Sequence, residues 1–191
     1  QLNLENIWCQ QSAGKRTLKL GSDFDQVVLG ISLAGLVGTC DELIAAHPPF
    51  AAMVKGIATV QTQALQLWLN RDTAGMGWAK GQTVLTSYAD PHSTWADMSH
   101  LLTAESWPGE GPKSVAYFCG PLAESATAGC FSKPSPPACA TAVAAKIGID
   151  RLNANAPAMW PAAVTAGGFD WQTLYDPAGS SGPARLTSQY V

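Results

Sequence analysis

The chain has 191 residues, a net charge of −3 at pH 7, 47% hydrophobic residues and 13% charged ones, the last about half the globular norm of roughly 25%. That length supports one domain with a proper core, or one and a half. The acidic balance excludes a nucleic-acid partner, which needs a basic face, and no apolar run of about 18 residues is present to span a membrane. Five scattered cysteines (Cys9, Cys40, Cys119, Cys130 and Cys139) include no C-x-x-C pair, which predicts reduced thiols and a cytoplasmic setting. The start at Gln1, without Met and without a signal-peptide pattern, predicts a processed or truncated but non-secreted chain.

In chain order, alternation from Asn6 to Leu20 predicts a β-ribbon turning at Ser12–Gly14. Asp23-Phe-Asp-Gln-Val-Val-Leu-Gly-Ile31 then reads as a charged turn feeding a buried strand, Gln26–Ile31, of a parallel or mixed sheet. Helical spacing from Leu33 to Ile57 is divided in two by Pro48-Pro49. Thr59 to Leu69 switches to period two, a long strand with Gln61 and Gln63 turned toward a cavity or polar neighbours. Gln82–Tyr88 is a second strand, forming a hairpin-like pair with the first.

Ser93-Thr94-Trp-Ala-Asp97 has the spacing of a capping box, so a helix capped by Thr94 is expected to run through Leu102. Lys113–Cys119 is a further strand. Ala123–Pro137 is a small-residue loop, because Pro134, Pro136 and Pro137 oppose helix. Ala138–Leu152 is a strong helix reaching toward Trp160, and the tail holds a short strand, Phe169–Leu174, then a turn at Asp176–Gly182. No internal repeat occurs. The order predicts an α/β (α+β) fold with a mixed sheet flanked by helices.

Gly75-Met-Gly77-Trp-Ala-Lys-Gly81 has its third glycine one position late and opens no helix, so it reads as a turn rather than a nucleotide loop. Asp90, His92, Asp97 and His100 lie within eleven residues and would suit a metal hydrolase. Asp97 is already used as a capping residue, however, and the spacing matches no metal motif. No Gly-x-Ser-x-Gly and no nucleophilic triad is present. The many aromatics, chiefly tryptophans, read first as core and second as walls of an apolar pocket.

Four stretches carry a family resemblance: Asp23–Ile31, Val60–Leu69, Thr86–His100 and Val115–Gly120. They resemble the FAD-dependent amine oxidase superfamily, with its monoamine oxidase-like and phytoene desaturase-like members. The resemblance implies that residues 1–32 are a remnant of flavin-domain strands and 33–191 a substrate-domain-like region. It also implies a flavin-dependent oxidoreductase that moves hydride from a small apolar or amine substrate to flavin N5. Gln61, Gln63, Trp68, Tyr88, Trp95, His100 and Tyr117 would line the substrate pocket, and Gly30, Ile31 and Ser32 would touch the cofactor. The family's glycine fingerprint for the FAD pyrophosphate and its later Gly-Asp segment do not occur in the sequence. FAD is therefore expected in a complete parent protein and not on this chain alone, with self-association or a flavin-domain partner covering its apolar surface. The rival expectation is a non-catalytic module that binds a small ligand or a partner.

Overall fold

A computed structural model describes residues 14–86, 89–107, 109–130, 132 and 136–191. The chain divides into two compact units, Gln1–Thr59 and Val60–Val191. Most of the ribbon predicted over Asn6–Leu20 lies outside the described residues.

In the first unit, Asp23 accepts the Lys19 N–H at 2.9 Å and closes a short turn. The strand predicted at Gln26–Ile31 does not form. The segment is irregular, and Val27, Val28 and Leu29 are 66%, 92% and 48% exposed. An apolar run becomes a buried strand only when neighbouring strands supply hydrogen bonds, and no described residue offers them here. Gly30, Ile31 and Ser32 consequently sit in an exposed coil, not at a strand end. The helical reading holds in two pieces, α1 (Asp41–Ala46) and α2 (Pro48–Gly56), after a 3-10 turn at Leu33–Leu36. Pro48 and Pro49 open α2, where a missing N–H costs nothing, and His47 caps it by accepting the Phe50 N–H at 3.1 Å.

The second unit holds a four-stranded sheet in the order β1-β4-β3-β2, from β1 (Gln61–Leu69), β2 (Val84–Leu85), β3 (Thr94–Asp97) and β4 (Ser114–Leu122). Every pairing is antiparallel, so the parallel or mixed sheet expected from the sequence gives way to an antiparallel one. β1 pairs along its whole length with β4, not with the Gln82–Tyr88 segment. Among its described residues that segment contributes Val84 and Leu85, paired to β3. The reason is length: β4 matches β1 residue for residue, whereas a two-residue strand offers few ladder bonds. The period-two reading of β1 is correct, since Gln63, Leu65, Leu67 and Leu69 are buried.

Ser93–Asp97 is not a helix start. Trp95 stands opposite Phe118 on the inner face and is fully buried, and this packing outweighs the capping pattern, which was compatible with either state. Helical turns begin only at Ser99–Ala104, in 3-10 form, with the Asp97 carboxylate accepting from the Ser99 N–H at 3.0 Å and from its hydroxyl. Thr94 therefore caps nothing.

α3 (Glu124–Thr127) and the first turn of α4 (Pro136–Met159) occupy part of the predicted loop, prolines being admissible where a helix begins. α4 lays Leu152, Ala156 and Met159 into a core shared with Leu65, Trp95, Phe118 and Trp160. A disulfide joins Cys130 to Cys139, which corrects the expectation of uniformly reduced thiols. The two Cα atoms lie 5.3 Å apart, within bridging range. Cys40 and Cys119 are free, and Cys9 lies outside the described residues.

The predicted tail strand shortens to β6 (Gly168–Phe169), in a hairpin with β5 (Val164–Thr165), followed by a 3-10 turn at Trp171–Thr173. Buried Arg185 then pins the tail by donating to Leu174 O, Gln172 Oε1 and Ser180 O. Asp176 accepts from the Ser188 hydroxyl and from the Ser180 and Ala178 N–H groups, which hold its carboxyl below its usual pKa. Beyond these turns, Tyr190 pairs with Gln66 on the outer edge of β1, through N–H···O contacts of 2.9 and 3.2 Å.

Candidate functional site

A cleft of about 820 Å³ opens where the first half of β1, the last half of β4 and the start of β3 meet the first turns of α4 and the tail. Period two sets its surface. Thr62 and Ala64 of β1, Cys119 and Tyr117 of β4 and Thr94 of β3 lie on the sheet face opposite the core. Thr127, Ala140, Thr141 and Ala144 add a helical wall, and Tyr190 and Val191 bound the other side. Among the described residues, hydroxyls, one carboxamide, one thiol and small apolar groups make up the lining, with no Asp, Glu, Lys, Arg or His side chain.

Gln63 is the unusual member. It is 7% exposed, its Nε2 reaches Pro121 O only at 3.5 Å, and its buried Oε1 has no hydrogen-bond partner. Leaving such an acceptor unpaired costs about 1–3 kcal/mol. Neighbouring Gln61 is satisfied, because the Thr127 hydroxyl donates to its Oε1 at 2.6 Å. The Tyr117 hydroxyl is held above its usual pKa by burial first, with Cys119 and Tyr190 adding to the shift; it remains a neutral donor at physiological pH. Gly120 permits the rim to form, since a Cβ there would stand 2.1 Å from the Pro91 carbonyl oxygen.

Of the residues expected at a pocket, the structure brings together Gln63 and Tyr117, with Gln61 behind them through Thr127. The others are dispersed. Trp68 lies farther along β1, its indole N–H donating to Glu105 at 3.2 Å and its ring edge-on to Trp107. Trp95 belongs to the core on the opposite face, packed edge-on to Trp78 and Trp160. His100 is exposed on the 3-10 turn, with its Nδ1 2.9 Å from Gln82 Nε2. Tyr88 lies outside the described residues. Gly30, Ile31 and Ser32 belong to the other unit.

Three of the four candidate metal ligands, Asp90 aside, are likewise separated in role. Burial first and Arg151 second press the His92 pKa down to about 4, Asp97 is engaged by Ser99, and His100 faces Gln82. Among the described residues no group of three or more His, Cys, Asp or Glu side chains could hold a metal ion.

Sequence reasoning missed Cys119, Gly120, Thr127, Thr141 and Tyr190. Counting by twos from Tyr117 would have found Cys119. The helical wall was hidden because the prolines read as a loop, and Tyr190 reaches the site only through pairing across the chain.

Comparison with protein-family models, curated proteins and solved structures gives no match.

Proposed function

We propose that the Val60–Val191 unit forms the substrate-side wall of a flavin-dependent oxidoreductase of the amine oxidase type, with the flavin held by further polypeptide. One observation carries the reading. The three family-like stretches of this unit, Val60–Leu69, Thr86–His100 and Val115–Gly120, are far apart along the chain, yet they supply the adjacent strands β1, β3 and β4 and meet at one cleft.

The described residues do not fit FAD itself. A pyrophosphate wants basic side chains or the N–H groups of a helix N-terminus. Among the described residues the cleft has no basic side chain, and α4 opens on Pro136 and Pro137, which have no N–H to give. This chain's own part is therefore to bind, orient and exclude water from a substrate. The exposed apolar side chains of Val27, Val28, Leu29 and Ile31 fit a chain that is covered by a flavin-domain partner or by self-association. The Cys130–Cys139 disulfide fits an oxidising compartment better than the cytoplasm.

The test is expression of this chain alone and within the polypeptide encoded on either side of it. The longer product should purify yellow and the isolated chain colourless. A colourless longer product, or stoichiometric flavin on the isolated chain, overturns the reading. A second reading, a non-catalytic small-ligand module, is favoured by the lack of any carboxylate or imidazole side chain among the described lining residues for general acid–base work. It predicts ligand binding by a colourless protein in both preparations.

A further inference from the structure

The edge of β1 that is turned away from β4 is paired over only part of its length. Toward its C-terminal end the tail of the chain takes the outward main-chain groups. Gln66 exchanges N–H···O bonds with Tyr190, the Trp68 C=O accepts from the Tyr175 N–H at 2.8 Å, and the Asn70 N–H donates to Thr173 O. The Trp68 N–H donates to the side-chain carbonyl of Gln189, again at 2.8 Å. Period two carries the same outward direction back to Ala64 and Thr62, yet among the described residues none takes the outward N–H or C=O of either. Thr62 is exposed, Ala64 is half-buried, and both line the cleft. α4 lines the same cleft with the small side chains of Ala140, Thr141 and Ala144, so the open edge shares its groove with a helix.

We infer that this open edge is a docking site for an extended segment of another polypeptide, which adds a strand antiparallel to β1 at Thr62 and Ala64. Unpaired N–H and C=O groups repeating at strand spacing match one chemical class, an extended main chain, as in other strand additions to a sheet edge. The tail sets the direction. Tyr190 pairs antiparallel with Gln66, and the added strand continues that line, exchanging N–H···O bonds with Ala64 and then with Thr62. Its residues opposite these two turn their side chains to the face of Tyr117 and Cys119, and the residue between them turns to the other face. A second copy of this chain is a poorer occupant, because each β1 edge is open at two positions and carries its own tail from Gln66 onward. The inference stands apart from the flavin reading and goes beyond it, since it rests on main-chain groups alone.

The test is titration of the full chain with acetyl-Thr-Val-Thr-Val-Thr-amide, a neutral strand former, followed by amide NMR and hydrogen exchange. In the chain alone the Thr62 and Ala64 amides should exchange freely, and saturating peptide should slow them about ten-fold or more. N-methylation at the second and fourth residues of the peptide leaves one edge whole and should keep affinity within about three-fold. The same two methyl groups at the third and fourth residues spoil both edges and should weaken binding about ten-fold or more, the scale of one or two hydrogen bonds. Thr62→Pro removes an outward donor without touching the β4 ladder, a change that edge positions tolerate, and should weaken binding to a similar degree. If that variant does not fold, the methylated peptides still decide. Thr62 and Ala64 amides that are already protected without peptide would mean that this chain or a second copy closes the edge, and would overturn the inference. Equal binding of the two methylated peptides, or no binding of the unmodified one, overturns it as well.

Discussion

At the scale of single residues, two positions make sharp claims. Gly120 lies where the Pro91 carbonyl passes, and any side chain there must displace backbone rather than a flexible side-chain end. Gly120→Ala should therefore cost about 3 kcal/mol, at the upper end of overpacking penalties. A midpoint in urea within error of the wild type would refute that close approach. His92 is fully enclosed, and its pKa is lowered from 6.5 to about 4 by burial first and Arg151 second. A lowered folded-state value means that the unfolded chain takes up the proton first. Stability should thus be level above about pH 6.5, fall as pH drops from there to about 4, and lose about 3 kcal/mol over the whole window. Urea titrations at stepped pH should show this slope, and His92→Gln should flatten it. A wild-type profile without the slope would mean that His92 is solvated.

At the scale of elements, the disulfide is the main test of the helical wall. Cys130 and Cys139 fasten the segment after α3 to the opening of α4, and both helices contribute to the cleft through Thr127, Ala140 and Thr141. Replacing both cysteines by serine should cost about 2–3 kcal/mol on the chain-entropy account of a short closed loop. Peptide mapping without reductant should recover the two cysteines linked; a map with both free would remove the brace. Elements also show what the sequence could reveal. β1 was legible because its residues change to a period of two, with buried Leu65, Leu67 and Leu69 alternating with half-buried Ala64, Gln66 and Trp68, and α2 because two prolines mark where a helix can begin. β3 was not, because Thr94 and Asp97 satisfy a local capping pattern, while the decisive contact of Trp95 with Phe118 spans more than twenty residues of chain. Of the site, Gln63 was reached through the period of β1, whereas Tyr117 was named only through the family resemblance. The helical wall and Tyr190 could not be read, since tertiary pairing brings them there.

At the scale of the whole molecule, the first unit leaves apolar side chains in water. Val27 and Val28 alone are 66% and 92% exposed, and covering a side chain of this size is worth about 1.5–3 kcal/mol. The chain should therefore associate with itself or with a partner through this segment. Sedimentation should show mass rising with concentration, and Val28→Glu with Ile31→Glu should suppress the rise. A wild-type chain that stays monomeric at high concentration would mean that these side chains find cover within the chain.

The strand order β1-β4-β3-β2 has a further consequence, for synthesis. β1 leaves the ribosome well before its long neighbour β4, since its first residue, Gln61, pairs with Leu122. Joining strands so distant requires closure of a long loop before any ladder bond rewards it, which makes the sheet slow to nucleate. Through that interval the nascent chain carries an unpaired strand bearing Leu65, Leu67 and Leu69, a surface suited to chaperone capture. The cleft has no existence until β4, α4 and the tail through Tyr190 have all emerged. Nascent chains arrested before Ser114 should accordingly be chaperone-bound and readily proteolysed, and those with the tail through Tyr190 clear of the ribosome protected.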